Sequence, residues 1–325
     1  MTHRVAIIGA GLAGLSCARA LRRVGISVNV FEEDHNVGGR IATTCVGSDR
    51  FDHGAQYLCA QSGEFQSYLT ETASLGYAER WVPRVASGTG VGAASRDPWI
   101  VGWPGMSAIV RPLADGVHVT LGRRVQSLER REKGWHLWLD NETLVGPFEA
   151  VAIAVPAAQA LRLLSRVGTF AAPLQQVRIL PCWALMVRID EKNFPEQDVF
   201  TNVSEIVRWI ARDNTKPGRI PDGETLVVHA SPIWSLAAEQ ADAEDVAEEL
   251  WGEVGEVLDL PPIRPSRMTA YLWREGIVDR ALGQTHLYCP DSHVGVAGDW
   301  CLGGFAEHAF ESGGRLGQAI AVSLG

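Results

Sequence analysis

The stretch "VAIIGAGLAGLSCARALRRVGISVNVFEE", starting at Val5, leaves this chain few folds to choose from. Residues 5–8 form a short apolar run with β-branched members. Gly9, Gly11 and Gly14 follow in the spacing GxGxxG, and Leu12, Leu15, Ala18 and Leu21 then recur at helical intervals. The pattern predicts a strand, a tight turn and a helix. Gly25 ends the helix, residues 28–31 predict a second strand, and Glu32 stands eighteen residues after Gly14. A carboxylate at that place meets the ribose of a dinucleotide, while the glycines admit the turn, the approach of a pyrophosphate and close helix packing. The helix start adds free N–H groups facing the anion. The expected cofactor contacts at this end are Gly9, Gly11, Leu12, Ala13, Gly14, Glu32 and Glu33.

A secretory signal has a similar outline, with a weakly basic start and an apolar run ending Ala18-Arg19-Ala20. It has no use for Glu32 at that distance. Met1 is therefore expected to begin the mature chain, in the cytoplasm. With 325 residues, 46% of them apolar, the chain can bury the core of two domains or one large one. A net charge of -9 weighs against nucleic acid or an anionic membrane as partner. Gly, Pro or charge interrupts every apolar stretch before it reaches the length of a membrane span. The six cysteines contain no CxxC pair and no two lie within ten residues, so neither a metal site nor a disulfide framework is expected.

Downstream, "FEEDHNVGGRIATT" places Gly38, Gly39 and Arg40 just after the ribose acid. Here the sequence resembles the flavin amine oxidase superfamily, whose members carry a GGR segment and bind FAD. The resemblance implies noncovalent FAD, with Gly39 and Arg40 at its pyrophosphate. It continues through "FDHGAQYL", where Gly54, Ala55, Gln56 and Tyr57 would approach the flavin. It also covers "RRVQSLERREKGWHLWL", a predicted hairpin whose strand at Val125 would meet adenine. "AVAIAVPAAQ" is an apolar strand ended by Pro156, and "VGVAGDWCLGGFAEHAFESGGRLGQAIA" a strand, a turn and a helix starting near Phe305. By resemblance Gly298 and Asp299 face the phosphate end of FAD, and Glu307, His308 and Ala309 the pyrimidine edge of the flavin. His308 stands where the family often has Gly.

The implied fold is α/β with an α+β substrate part: a two-domain, FAD-binding Rossmann-like fold of the amine oxidase and p-hydroxybenzoate hydroxylase type. Residues 1–60, 104–165 and 285–325 would form a discontinuous FAD domain. Residues 61–103 and 166–284, which hold most of the tryptophans, would form a sheet-based substrate domain.

"VGWPGMSAIVRPLADG", "PCWALMV", "RWIARDNTKPGR", "VVHASPIWS" and "GDWCL" are most similar to bacterial renalase-like flavoproteins. That implies an oxidase that converts 2- and/or 6-dihydro isomers of NAD(P)H to NAD(P)+ and reduces O2 to H2O2, as a monomer or homodimer. Classical amine oxidases place a lysine near the flavin on a substrate-domain strand. The matching stretch 182–189 has none, and Lys133, Lys192 and Lys216 fall in turn or loop contexts. A small amine oxidase and a non-redox, mutase-like isomerase are the alternatives. The resemblance, together with the strand pattern, implies His229, which ends the apolar run of "VVHASPIWS", and Trp273 as candidate catalytic residues, and the resemblance adds Asn214, with Asp213 competing for its place. Arg208, Arg212, Arg219 and Arg274 are either contacts for the substrate's pyrophosphate or solvated surface charges.

Overall fold

The computed structural model describes residues 3–325, apart from 88–89, 92–97, 166, 168–169, 191–193 and 220–221. Lys192 thus lies outside the described residues. The chain divides into two compact units, one of residues 1–39, 110–179 and 278–325, the other of 40–109 and 180–277. Residues 40–60 and 104–109 group with the second unit, and 166–179 and 278–284 with the first.

The first unit begins with β1 (Arg4–Ile8), α1 (Leu12–Arg23) and β2 (Ser27–Phe31). β1 is the centre of a six-stranded sheet, flanked by β2 and by the strand Ala150–Ile153, both parallel to it. His118–Thr120 and Val294–Val296 extend the parallel array, and Leu287–Cys289 closes one edge antiparallel. A sheet buried on both faces needs continuous apolar strands, and Val5, Ala6 and Ile7 are fully buried, as is every residue of Ala150–Ile153. The expected hairpin forms as Val125–Arg131 with Gly134–Leu139, joined by a third strand, Leu144–Phe148. The last helix, Ala306–Leu324, lies against α1: a Cβ on Gly313 would collide with the Ala13 carbonyl, and Ser16 Oγ donates to the Phe310 carbonyl at 2.7 Å.

The second unit is built on a seven-stranded sheet. Its order is Arg267–Arg280, Arg178–Ile189, Glu224–Ala230, Val207–Arg212, Val199–Thr201, Val85–Ser87 and Gly90–Val91. Side chains alternate across it with period two. Trp183, Leu185, Val187, Leu226, Val228 and Ala230 pack on Val246, Ala247, Leu250 and Val254 of the helix Ala243–Val257. The opposite face carries Cys182, Ala184, Met186, Val227 and His229, with Phe51 packed on Met186 and Val227. In the segment "DNTKPGRIPDGE" the first three residues form a 3₁₀ turn, Asp213–Thr215. No helix among the described residues is long and apolar enough to cross a membrane.

Candidate active site

In the first unit the glycine turn has the build of a dinucleotide cradle. Gly9 adopts φ +98°, open to glycine but strained for other residues, and a Cβ there would press on the Ala154 carbonyl. A Cβ on Gly14 would run into the Gly9 carbonyl, so α1 sits directly on the turn. At Gly11 an added Cβ would meet nothing within 4 Å, which leaves open space over the backbone at the start of α1. Leu12 and Ala13 open that helix and are buried. Glu32, at the end of β2, accepts the Ala10 amide at 2.6 Å and the Asp34 amide at 3.0 Å. Burial pushes its carboxyl up from the ordinary range, against the pull of those two amides. Glu33 points elsewhere, to Arg124 Nε at 2.7 Å on the surface. Gly38 donates to the Ala10 carbonyl at 2.9 Å, which brings the GGR segment beside the first turn.

The C-terminal expectations fall in the same unit. Asp299 is buried in a 3₁₀ turn after the strand Val294–Val296, and the Gly298 amide donates to Ser312 Oγ at 2.9 Å. Glu307 is buried in the first turn of the last helix, and Ala309 half-buried in its second. His308 accepts the Phe305 amide on Nδ1 at 3.4 Å, so its side chain caps the helix start. Val125 is buried in the meander, beside a β-bulge. These residues and the glycine cradle fit a bound FAD: an open backbone turn, a helix start and a carboxylate at ribose spacing.

In the second unit the loop "FDHGAQYL" is held by its own backbone. Ala55 donates to the Arg40 carbonyl at 2.9 Å, and a Cβ on Gly54 would collide with that oxygen. Arg40 Nη1 reaches the Gly276 carbonyl at 3.3 Å. The carbonyl oxygen of His53 accepts two side chains, Trp273 Nε1 at 2.9 Å and His229 Nε2 at 3.1 Å. Trp273 also stacks on the His53 ring, with centroids 5.2 Å apart. The two candidate catalytic side chains therefore share one acceptor. Tyr57 stacks on Trp99 at 3.9 Å and lies 5.7 Å from Trp209.

Asn214 is placed differently. Its Nδ2 donates to the Gly223 carbonyl at 3.2 Å and its Oδ1 accepts the Thr225 amide at 3.3 Å, so both ends of the amide fasten the start of the strand Glu224–Ala230. Asp213 enters a buried ionic cluster that sequence reasoning did not anticipate. Lys216 Nζ lies 2.6 Å from Asp213 Oδ1, an ion pair without good hydrogen-bond alignment, and 3.2 Å from both Asp52 Oδ2 and Gln56 Oε1. Arg219 also pairs with Asp52, and the Asp52 amide donates to Asp213 Oδ2 at 2.6 Å. The side chains of Lys216, Asp52 and Asp213 are wholly inaccessible. Burial raises the Asp52 carboxyl, but Lys216, Arg219, the Met106 amide and the Thr43 hydroxyl outweigh it and hold the group down at about 2. The only cue in the sequence was the proximity of Asp52 to Gly54.

Burial lowers His229 to about 4, with Arg208 and Lys216 adding to the effect. Cys182, on the same sheet face, is pushed up to about 12 by burial, and the Tyr57 phenol is raised by the same cause.

Comparison with known proteins places this geometry in context. The family described as flavin containing amine oxidoreductase matches residues 91–321, and an NAD(P)-binding Rossmann-like domain matches 7–72. A 68-residue stretch is 37% identical to protoporphyrinogen oxidase 2, chloroplastic/mitochondrial, of Arabidopsis thaliana. It spans 21% of this chain and only 13% of that protein. The fold is similar over 99% of both chains to a crystal structure assigned as a protoporphyrinogen oxidase from Exiguobacterium sp. 255-15, with TM-score 0.81 and 10% identity. It is also similar to cyclohexylamine oxidase from Brevibacterium oxydans IH-35A over the whole of both chains, with TM-score 0.73 and 15% identity.

Proposed function

This chain belongs to the family of flavin-containing amine oxidoreductases, and from that premise we propose that it oxidises the 2- and/or 6-dihydro isomers of NAD(P)H to NAD(P)+. It is an FAD-dependent oxidoreductase. In the proposed reaction a hydride, a proton and O2 leave as H2O2, and the substrate leaves as the aromatic pyridinium. When bound, FAD would supply the hydride acceptor and the route for the electrons to oxygen.

The observation that carries this reading is the shared acceptor: Trp273 Nε1 and His229 Nε2 both donate to the His53 carbonyl, at 2.9 and 3.1 Å, and the ionisable groups around them offer no strong base. Near neutral pH the imidazole is neutral, and the Cys182 thiol and the Tyr57 phenol keep their protons. Lys216 is wholly buried in ion pairs. An ammonium substrate must lose a proton before its carbon can give up hydride. A dihydropyridine has no such proton, so it needs orientation rather than a base. Trp273 and His229, both tied to the His53 carbonyl, would supply that orientation.

FAD would be held by Gly9, Gly11, Leu12, Ala13, Gly14, Glu32, Gly39, Val125, Gly298 and Asp299 in the first unit, with Glu307, His308 and Ala309 at the helix start. Glu33 and Asn214, whose side chains are engaged elsewhere, are assigned supporting places only. Noncovalent attachment is supported by Cys301, whose buried thiol is pushed up to about 12 and so is not a nucleophile near neutral pH.

The small amine oxidase alternative draws on the fold shared with cyclohexylamine oxidase. A non-redox, mutase-like use of FAD is set aside, because the matching family is one of oxidoreductases. Oxygen uptake by the purified holoenzyme tests the proposal. One NAD(P)+ and one H2O2 per O2 are expected with the 2- or 6-dihydro isomers, and oxygen uptake with simple amines alone would refute it.

A further inference from the structure

The four arginines raised as anion contacts do not have equal standing in the fold. Arg212 makes a two-pronged pair with Glu224, at 3.0 and 2.7 Å. Arg219 is buried against Asp52 and donates to the Gly102 carbonyl at 2.7 Å. Arg274 reaches Glu239 at 3.4 Å. Arg208 is exposed and makes no ion pair among the described residues.

Its direction is set by a β-bulge. Val207 pairs with Ala230 and Trp209 with His229, so Arg208 is the extra residue between them. Val207 and Ile210 both pack into the core on the helix side. Arg208 and Trp209 therefore turn together to the face that bears His229, and a bulge is a common device for re-aiming a side chain beside a functional site. Arg208 acts electrostatically on three groups of that face: His229, Cys182 and Tyr57. Trp209 Nε1, next along the strand, is a buried donor without a partner. A solvated stray charge would account for the exposure. It would not account for a bulge that turns the guanidinium onto the face of His229 and Trp273.

We propose that Arg208 determines substrate specificity, pairing its guanidinium with a phosphate oxyanion of the substrate and disfavouring a cationic amine. The proposal rests on the dinucleotide reading above and names the group that would recognise it. A planar, permanently charged fork suits a phosphate, and the same charge repels an ammonium group, so attraction and exclusion come from one side chain.

The test is a titration of the holoenzyme, followed by the change in flavin absorbance, with NAD+, inorganic pyrophosphate and the phosphate-free 1-methylnicotinamide. Arg208→Ala is expected to weaken NAD+ binding by about 10- to 100-fold without weakening that of 1-methylnicotinamide, a cation that the same guanidinium repels. Arg208→Lys should recover part of the loss, and Arg274→Ala should bind as wild type does. Added salt should weaken NAD+ binding to the wild type much more than to Arg208→Ala. Flavin content, measured on each variant, reports whether it has folded. Arg208→Ala binding NAD+ within twofold of wild type would overturn the proposal, as would failure of both NAD+ and pyrophosphate to bind the wild type. If the dihydro isomers fail to reduce the flavin, the substrate reading falls, yet this titration still decides the role of Arg208.

Discussion

His229 donates its Nε2 hydrogen to the carbonyl oxygen of His53 at 3.1 Å, and that bond decides the tautomer of the imidazole. A carbonyl has no proton to offer, so Nε2 must carry the hydrogen and Nδ1 keeps its lone pair. Trp273 donates to the same oxygen at 2.9 Å. One backbone group, in the residue before Gly54, thus orients both candidate side chains and ties them to the loop expected to approach the flavin.

The rate of flavin reduction should follow from this protonation state. Because His229 is held at about 4, the rate with a dihydronicotinamide isomer should stay flat from about pH 6 to about pH 9. Stopped-flow absorbance would show it. An inflection between pH 6 and 7 that disappears in His229→Gln would mean that the imidazole titrates during turnover.

Stability should respond in the opposite range. The ordinary value of histidine is 6.5, and burial lowers both His229 and His53 in the folded chain. Below 6.5 the unfolded state therefore binds more protons than the folded one, and stability falls as the pH drops toward about 4. The melting temperature should drop by an amount on the order of 5 °C over that interval, and by less in His229→Gln. A melting temperature that rises on acidification would contradict the assignment.

Lys216 lies between two buried carboxylates, and its loss should leave Asp52 and Asp213 short of a counter-charge. Lys216→Met is expected to cost about 3–5 kcal/mol. Adding Asp213→Asn should recover part of that, since it removes one of the stranded charges. Denaturation followed by tryptophan fluorescence measures both. A loss below about 1 kcal/mol for Lys216→Met would show the cluster to be dispensable.

The glycine cradle separates folding from cofactor binding. An added methyl at Gly11 meets no atom within 4 Å, so Gly11→Ala should fold normally but hold FAD at least about tenfold more weakly, its methyl filling the approach to the turn. Gly14→Ala, whose methyl would collide with the Gly9 carbonyl, should lose both FAD and stability. Titration of FAD into the apoprotein, beside a thermal melt, distinguishes the two. Equal FAD affinity in Gly11→Ala and wild type would count against a cofactor passing over that turn.

Much of the first unit was legible in the sequence because its signals are local. The glycine spacing, the apolar run before it and Glu32 lie within one short segment, and each constrains the next through a single strand, turn and helix. His229 stood out as a candidate because it is the polar residue at the end of an apolar run. The ionic cluster was not, because Asp52 and Asp213 are 161 positions apart and nothing local marks them as partners. Lys216 reads as an ordinary loop lysine in "DNTKPGRIPDGE", and only the fold shows it fully enclosed. Nor could alternation locate Arg208 on a face, since a bulge shifts the period by one residue and leaves no trace in composition. Asn214 shows the converse limit: family resemblance suggested a contact, while its geometry spends both ends of the amide on backbone.

Anaerobic mixing of the holoenzyme with a panel of dihydronicotinamides and amines separates a dihydronicotinamide oxidase from an amine oxidase. The 2- or 6-dihydro isomers should bleach the flavin within seconds and release one equivalent of NAD(P)+. Faster bleaching by primary or secondary amines, with the dihydro isomers inert, would contradict it.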